Sequence, residues 1–127
     1  MPKAATGNVH PSGPRLRVVI EPDVAIGPGK ADLLEAIRDT GSISAAGRKL
    51  GMSYRRAWLL VDELNQHLAA PVVAAQTGGA KGGGAALTAT GQEVLDRYRS
   101  MEMACREAIA GDVQALRNLI RRNQRQK

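Results

Sequence analysis

The stretch Gly41–Trp58, GSISAAGRKLGMSYRRAW, decides how this chain folds. Ser42 precedes Ile43, Ala46 and Leu50, apolar positions at helical spacing, and the pattern stops at Gly51. A serine hydroxyl in that place takes up a backbone N–H that a helix start leaves without a partner. Ser53 opens the same pattern again, with Ala57, Val61, Leu64 and Leu68 on one arc of a helical wheel. The link between them is Gly51-Met52-Ser53, and Ala45, Ala46, Gly47 and Gly51 are small enough for two helices to cross closely. The reading is a helix-turn-helix over Ser42–Leu68.

The charges of this segment give it a chemistry. No acidic residue falls between Asp39 and Asp62, whereas Arg48, Lys49, Arg55 and Arg56 do. In a helix-turn-helix that binds DNA, the first turns of the second helix reach base edges and the preceding helix crosses the backbone. Arg55 lies opposite the buried arc, beside Asp62 and Gln66, where its guanidinium fork can meet guanine O6 and N7. Arg56 sits to the side, which suits a phosphate. Tyr54 lies nearer the core edge with its hydroxyl available to a phosphate or a base, and Trp58 is read as a packing residue at the boundary. The bland alternative is an ordinary helical hairpin with a solvated basic face.

Working outward, Lys30–Thr40 reads as a helix with Leu33, Leu34 and Ile37 on one face and Gly41 as its stop. Before it, Leu16, Val18 and Ile20 alternate with Arg17, Val19 and Glu21, predicting a half-buried strand, and Gly27-Pro28-Gly29 marks a break. After it, Val72–Gln76 and Ala85–Leu87 read as strands joined by a flexible loop, Thr77–Gly84. Such a hairpin beside the second helix makes a winged helix, with Lys81 for charge and glycines that let backbone N–H groups approach phosphate. Thr90 and Glu93 form a capping box that starts a long helix. Its positions Val94, Tyr98, Met101, Cys105 and Ala108 repeat as a heptad-like seam suited to a partner helix. Gly111-Asp112 interrupts the seam, and Val113, Leu116 and Ile120 resume out of phase, so a break is expected there. The organisation predicted is a disordered tail over 1–14, a winged helix-turn-helix over 15–92, a long helix over 93–121 broken near 111, and a basic tail over 122–127. The fold class is mainly α with a small β-hairpin wing.

Composition narrows the function. The 127 residues suit one domain, and with one Trp, two Tyr and no Phe the core must be aliphatic. A net charge of +6 favours polyanion partners. A single cysteine, Cys105, forms no intramolecular disulfide, which fits a reducing compartment. Neither a signal peptide nor a membrane-spanning run is present, so a cytoplasmic protein is expected. Lys81 is followed by glycine rather than Ser or Thr, which fails the phosphate-loop pattern. His10, His67 and Cys105 have no metal-ligand spacing, and no nucleophile–base set has supporting context. No enzyme activity, cofactor or metal is expected. The function classes left are a sequence-specific DNA-binding regulator, a non-specific architectural DNA binder and a protein-interaction winged helix.

Two blocks carry a family likeness: Gly41–Trp58, quoted above, and Thr77–Thr88, TGGAKGGGAALT. In order and spacing, the G-S-I-S block, the G-M-S-Y turn, the A-W after the basic pair and the T-G-G-x-K-G-G-G wing resemble the N-terminal domain of the ModE family of molybdate-dependent transcriptional regulators. The likeness extends from about Leu16 to about Ala110. It implies a winged helix-turn-helix, related to the LysR type, that dimerises in part through its long helix and binds an inverted-repeat operator in double-stranded DNA. Carried onto this sequence, Ser53, Tyr54, Arg55 and Arg56 fall on the recognition helix. Lys81, Gly82 and Gly83 fall on the wing, Ser42 and Ser44 lie where the preceding helix nears phosphate, and regulation of molybdenum genes follows by kinship. The oxyanion-binding domains of the family would begin where Lys127 stands, so molybdate is not expected to bind this chain directly.

Overall fold

Pro28 opens the first helix at a position where its missing N–H costs nothing, and the helix runs to Thr40. In the computed structural model, which describes residues 13–79 and 82–122, this helix is the hub. The elements in order are β1 (Val18–Glu21), β2 (Val24–Ile26), α1 (Pro28–Thr40), α2 (Ile43–Lys49), α3 (Tyr54–His67), β3 (Val73–Gly79), β4 (Gly82–Leu87) and α4 (Ala89–Asn118). α1 packs against α2, α3, α4, β2 and β4. It stops at Gly41, whose φ of 73° is left-handed and whose N–H returns to Ile37 O at 2.8 Å.

The core is aliphatic, as composition requires. Leu33, Leu34 and Ile37 of α1, Ala46 of α2, Ala57 and Val61 of α3, Val72 and Leu95 are fully buried, and Tyr98 is the one aromatic among them. Gly47 sits where α2 crosses α3: a Cβ there would stand 3.3 Å from both Ala57 Cβ and Met52 O, a tight fit that even alanine would meet only if its neighbours gave by a few tenths of an ångström. Gly51 takes a φ of 73° in the turn. Leu68, assigned to the buried arc of α3, is half-buried and closes the helix as its C-cap.

The wing is an antiparallel pair of β3 and β4 with Val73 opposite Leu87 and Ala75 opposite Ala85. Its strands are longer than the sequence reading has them. They extend through the glycines to Gly79 and Gly82, because ladder hydrogen bonds need only backbone, and a register shift between Gln76 and Gly79 absorbs the irregularity. Three ties fix the wing to the helices. Asn65 Oδ1 accepts from Val72 N at 2.8 Å and Val73 N at 3.3 Å, and its Nδ2 donates to Val73 O at 3.2 Å. Ala85 N donates to Gly41 O at 3.0 Å. Thr88 N donates to Val72 O at 3.0 Å.

Elsewhere the structure corrects the sequence reading. The N-terminal strand has a partner: β1 pairs antiparallel with β2, a strand of only three residues following Pro22-Asp23. A register shift between Val19 and Glu21 takes Ile20 off the core face, leaving it 58% exposed. The cap of α4 is Thr88, not Thr90. Thr88 Oγ1 accepts from Gly91 N at 3.0 Å and donates to Pro71 O at 2.6 Å, while Glu93 pairs with Arg97. α4 continues unbroken through Gly111 to Asn118. One interior glycine costs about 1 kcal/mol relative to alanine, and good helix formers on both sides outweigh it.

The seam on α4 also divides. Tyr98 is fully buried in the chain's own core, and its hydroxyl donates to Leu16 O at 2.6 Å, so it does not serve as an interface between copies. Val94 and Met101 pack half-buried against the same core. Leu95, absent from the seam reading, is buried beside them. Cys105 is half-buried and Ala108 exposed, on the part of the helix beyond this packing.

Candidate nucleic-acid interface

Both capping serines act as expected. Ser42 Oγ accepts from Ala45 N at 3.0 Å, and Ser53 Oγ accepts from Arg56 N at 3.1 Å. These bonds set where α2 and α3 begin, and thereby which side chains face out. Arg48, Lys49, Arg55 and Arg56 are all exposed. Among the described residues, none of the four forms an ion pair, whereas Lys30, Arg38, Arg97 and Arg99 each face a carboxylate. The outer surface of the helix pair is thus positive and uncompensated, the condition for drawing in phosphate.

Tyr54 and Trp58 depart from the sequence reading. Tyr54 is 58% exposed rather than tucked at the core edge, and Trp58, read as a packing residue, is 44% exposed. Their rings meet edge to face, with centroids 6.4 Å apart and planes at 79°. Trp58 Nε1 donates to the Tyr54 hydroxyl. One turn of helix separates them, and that spacing was the available signal. Ser42, Ile43, Ser44, Tyr54, Trp58, Gly84 and Ala85 line one cleft between α2, α3 and the wing.

Of the residues singled out for DNA contact, Ser42, Ser44 and Tyr54 therefore come together around one hollow. Arg55 and Arg56 project from the first turn of α3, Ser53 stands at its cap, and Gly82 and Gly83 open β4. Lys81 lies outside the described residues. Missed in the sequence were Leu59, 54% exposed on the face that carries Arg55, and Asn65, which anchors the wing. A lone asparagine on a helix gives no sequence signal for a bond to a later strand.

Behind this surface, Arg99 of α4 joins two helices. Its guanidinium meets Asp32 and Glu35 of α1 at 2.8 Å each and Glu102 at 2.9 Å. Burial works against its charge, but the hydrogen bonds to Asp32, Glu102 and Glu35 outweigh that and hold it protonated beyond the usual arginine range. Burial pushes the neighbouring Tyr98 hydroxyl up from its usual pKa, with Glu102 adding to the shift and Arg99 opposing it. Among the described residues, no helix is long and apolar enough to cross a membrane.

Comparison with known proteins agrees with this geometry. Residues 30–92 match the family described as bacterial regulatory helix-turn-helix protein, lysR family. The chain is 49% identical over 77 residues to the molybdenum-pterin-binding protein MopB of Rhodobacter capsulatus, covering 61% of this chain and 28% of that protein. It is 32% identical over 117 residues to the molybdenum transport protein ModE of Azotobacter vinelandii, covering 82% of this chain and 43% of the relative. It is 41% identical over 71 residues to the DNA-binding transcriptional dual regulator ModE of Escherichia coli K12, covering 56% of this chain and 27% of that one. The chain thus spans less than half the length of each of these relatives. Among solved structures, a CbnR_DBD–DNA complex shares the fold at a TM-score of 0.53 and 23% identity, over 68% of this chain and 95% of that one.

Proposed function

The chain carries a helix-turn-helix domain of the bacterial regulatory lysR family, and on that premise we propose that it is a sequence-specific DNA-binding regulator of transcription, serving molybdenum-related genes. The observation that carries the reading is the outward, unpaired set of Arg48, Lys49, Arg55 and Arg56 on the crossed pair α2 and α3. Such a surface gains most from a ligand with closely spaced negative charges. In this reading α3 enters the major groove. Arg55 meets a guanine and Arg56 a phosphate, Ser42, Ser44, Ser53 and Tyr54 bond to the backbone, and Lys81 with Gly82 and Gly83 follows the backbone from the wing. The molybdenum connection rests on the names of the relatives.

The functional unit we propose is a homodimer on an inverted-repeat operator. Its contact lies on α4 beyond Met101 and on the turn that follows the helix, where Cys105, Ala108, Ile109, Val113, Leu116 and, past the helix end, Ile120 extend the apolar stripe past the chain's own core. Leu116 is 63% and Ile120 53% exposed, and covering such a stripe by a second copy suits a two-fold protein on a two-fold site.

Selection of bound duplexes from a random pool is the decisive experiment. Recovery of an inverted repeat, with affinity falling steeply as salt rises, is the expected result. Enrichment of no sequence with the same salt slope would mean a non-specific architectural binder. A flat slope with no retained duplex would make the chain a protein-interaction module.

A further inference from the structure

The three hydroxyls around the cleft between α2, α3 and the wing are each already engaged as acceptors inside the chain. Ser42 Oγ takes Ala45 N–H at 3.0 Å, Ser44 Oγ takes Arg48 Nη1 at 2.9 Å, and the Tyr54 hydroxyl takes Trp58 Nε1. Indole N–H and guanidinium are donors only, so the direction of the last two bonds is not open to choice. A hydroxyl that accepts in this way has its own proton left to give, and all three border one hollow. A site made of donors calls for a ligand made of acceptors. On the surface proposed to face DNA, that ligand is a backbone phosphate, whose oxygens accept only.

We propose that Ser42, Ser44 and Tyr54 form a single phosphate seat, and that Trp58 and Arg48 are positioning residues which turn the hydroxyls of Tyr54 and Ser44 into donors toward it. Trp58 acts through two features. Its ring holds Tyr54 edge to face, and its Nε1 takes one acceptor position of the Tyr54 hydroxyl, which leaves the O–H proton to point away from the indole. The inference rests on the DNA-binding reading and assigns that site a residue, Trp58, that touches the phosphate only through another. It also explains why an indole stands 44% exposed on the outer side of a recognition helix without reading a base.

A double-substitution cycle on the full chain tests it, with two probes: a duplex recovered by selection and one unrelated duplex of equal length. Tyr54→Phe is expected to weaken binding to both by roughly tenfold, the loss of one hydrogen bond to a charged group. Trp58→Phe, which keeps an aromatic ring and drops the N–H, is expected to weaken both by a few-fold. In the Tyr54→Phe background, Trp58→Phe should do nothing more, since there is no hydroxyl left to orient. Circular dichroism and thermal melting establish that each variant is folded, and Trp58→His, which restores a ring N–H, serves as a rescue. A Trp58→Phe loss that persists without the Tyr54 hydroxyl, or falls on the selected duplex alone, overturns the positioning role in favour of packing or base reading. Binding of Trp58→Phe equal to wild type overturns it as well. Failure of the wild-type chain to bind either duplex is a different result: it overturns the DNA-binding reading and this inference together.

Discussion

Arg55 and Arg56 are neighbours in sequence but stand about 100° apart on α3, and that separates their roles. Arg55→Ala is expected to weaken binding to a selected operator by about 1–3 kcal/mol and to relax preference at one base pair per half-site. Arg56→Ala should weaken all duplexes alike and make the salt dependence shallower by about one phosphate. Competition binding against mutated operators separates the two. Tyr98 is a residue of stability. Its hydroxyl holds Leu16 O at 2.6 Å, so Tyr98→Phe should cost about 1 kcal/mol. Its pKa is raised from 10.0 in the folded chain, so the unfolded chain ionises first. Stability from this group is complete below pH 10.0 and is lost as pH rises through the folded value. Denaturant unfolding across that range should show a steeper alkaline decline for wild type than for Tyr98→Phe. The basic and hydroxyl residues of the site were legible because they cluster within a few positions of two capping serines. The exposure of Trp58 was not, since a tryptophan at a helix boundary fits packing equally well by periodicity.

At the level of elements, junctions rather than helices carry the tightest constraints. Gly91, in the first turn of α4, passes so close to the Val72 carbonyl that any Cβ would collide with it. Gly91→Ala should destabilise by about 1–3 kcal/mol or more through forced separation of α4 from the wing, although alanine is the better helix former. Thr88→Ala removes the cap on Gly91 N and the bond to Pro71 O, and should cost about 1 kcal/mol. Asn65→Ala leaves the Val72 and Val73 N–H groups without their acceptor at a cost of about 1–3 kcal/mol. Hydrogen exchange should show the loss concentrated in β3 and β4. The two helices of the helix-turn-helix followed from apolar spacing and serine caps, and α1 from its apolar face and its glycine stop. β2 did not, because three residues carry no periodicity, and the capping box at Thr90 missed the actual cap, Thr88, whose bond to Pro71 O joins residues far apart in sequence.

At the scale of the molecule, α4 joins two surfaces. Its first half is committed to the domain core through Leu95 and Tyr98, and Arg99 locks it to α1 through Asp32 and Glu35. Its second half runs past the core and carries exposed Leu116, with exposed Ile120 just beyond its end. Charge placed there should break the proposed dimer and leave the domain folded. Leu116→Glu with Ile120→Glu is expected to halve the mass in sedimentation and to abolish cooperative binding to an inverted repeat, with an unchanged melting profile at low concentration. An unchanged mass would place the dimer contact elsewhere. Arg99→Met keeps the stem but leaves Asp32, Glu35 and Glu102 facing one another without their cation. The groups are partly exposed and so screened, and the loss of this network should lower stability by about 1 kcal/mol, read by denaturant unfolding.

Local chemistry determined the helix-turn-helix by itself: two serine caps, a glycine turn and apolar spacing all act within a few residues, so Gly41–Trp58 specifies its own form. The basic, acid-free run specifies the sign of its surface in the same way. Tertiary structure alone decided how the long helix is spent. A heptad pattern states that a face is apolar but not what covers it, and in this chain Tyr98 is fully buried in the core with its hydroxyl on Leu16 O, while Val94 and Met101 pack half-buried against that core. It also decided that Trp58 and Tyr54 face outward as a pair, because burial depends on where the wing sits, and the bonds of Asn65, Gly41 and Thr88 that seat the wing span too many residues for any periodicity to announce them.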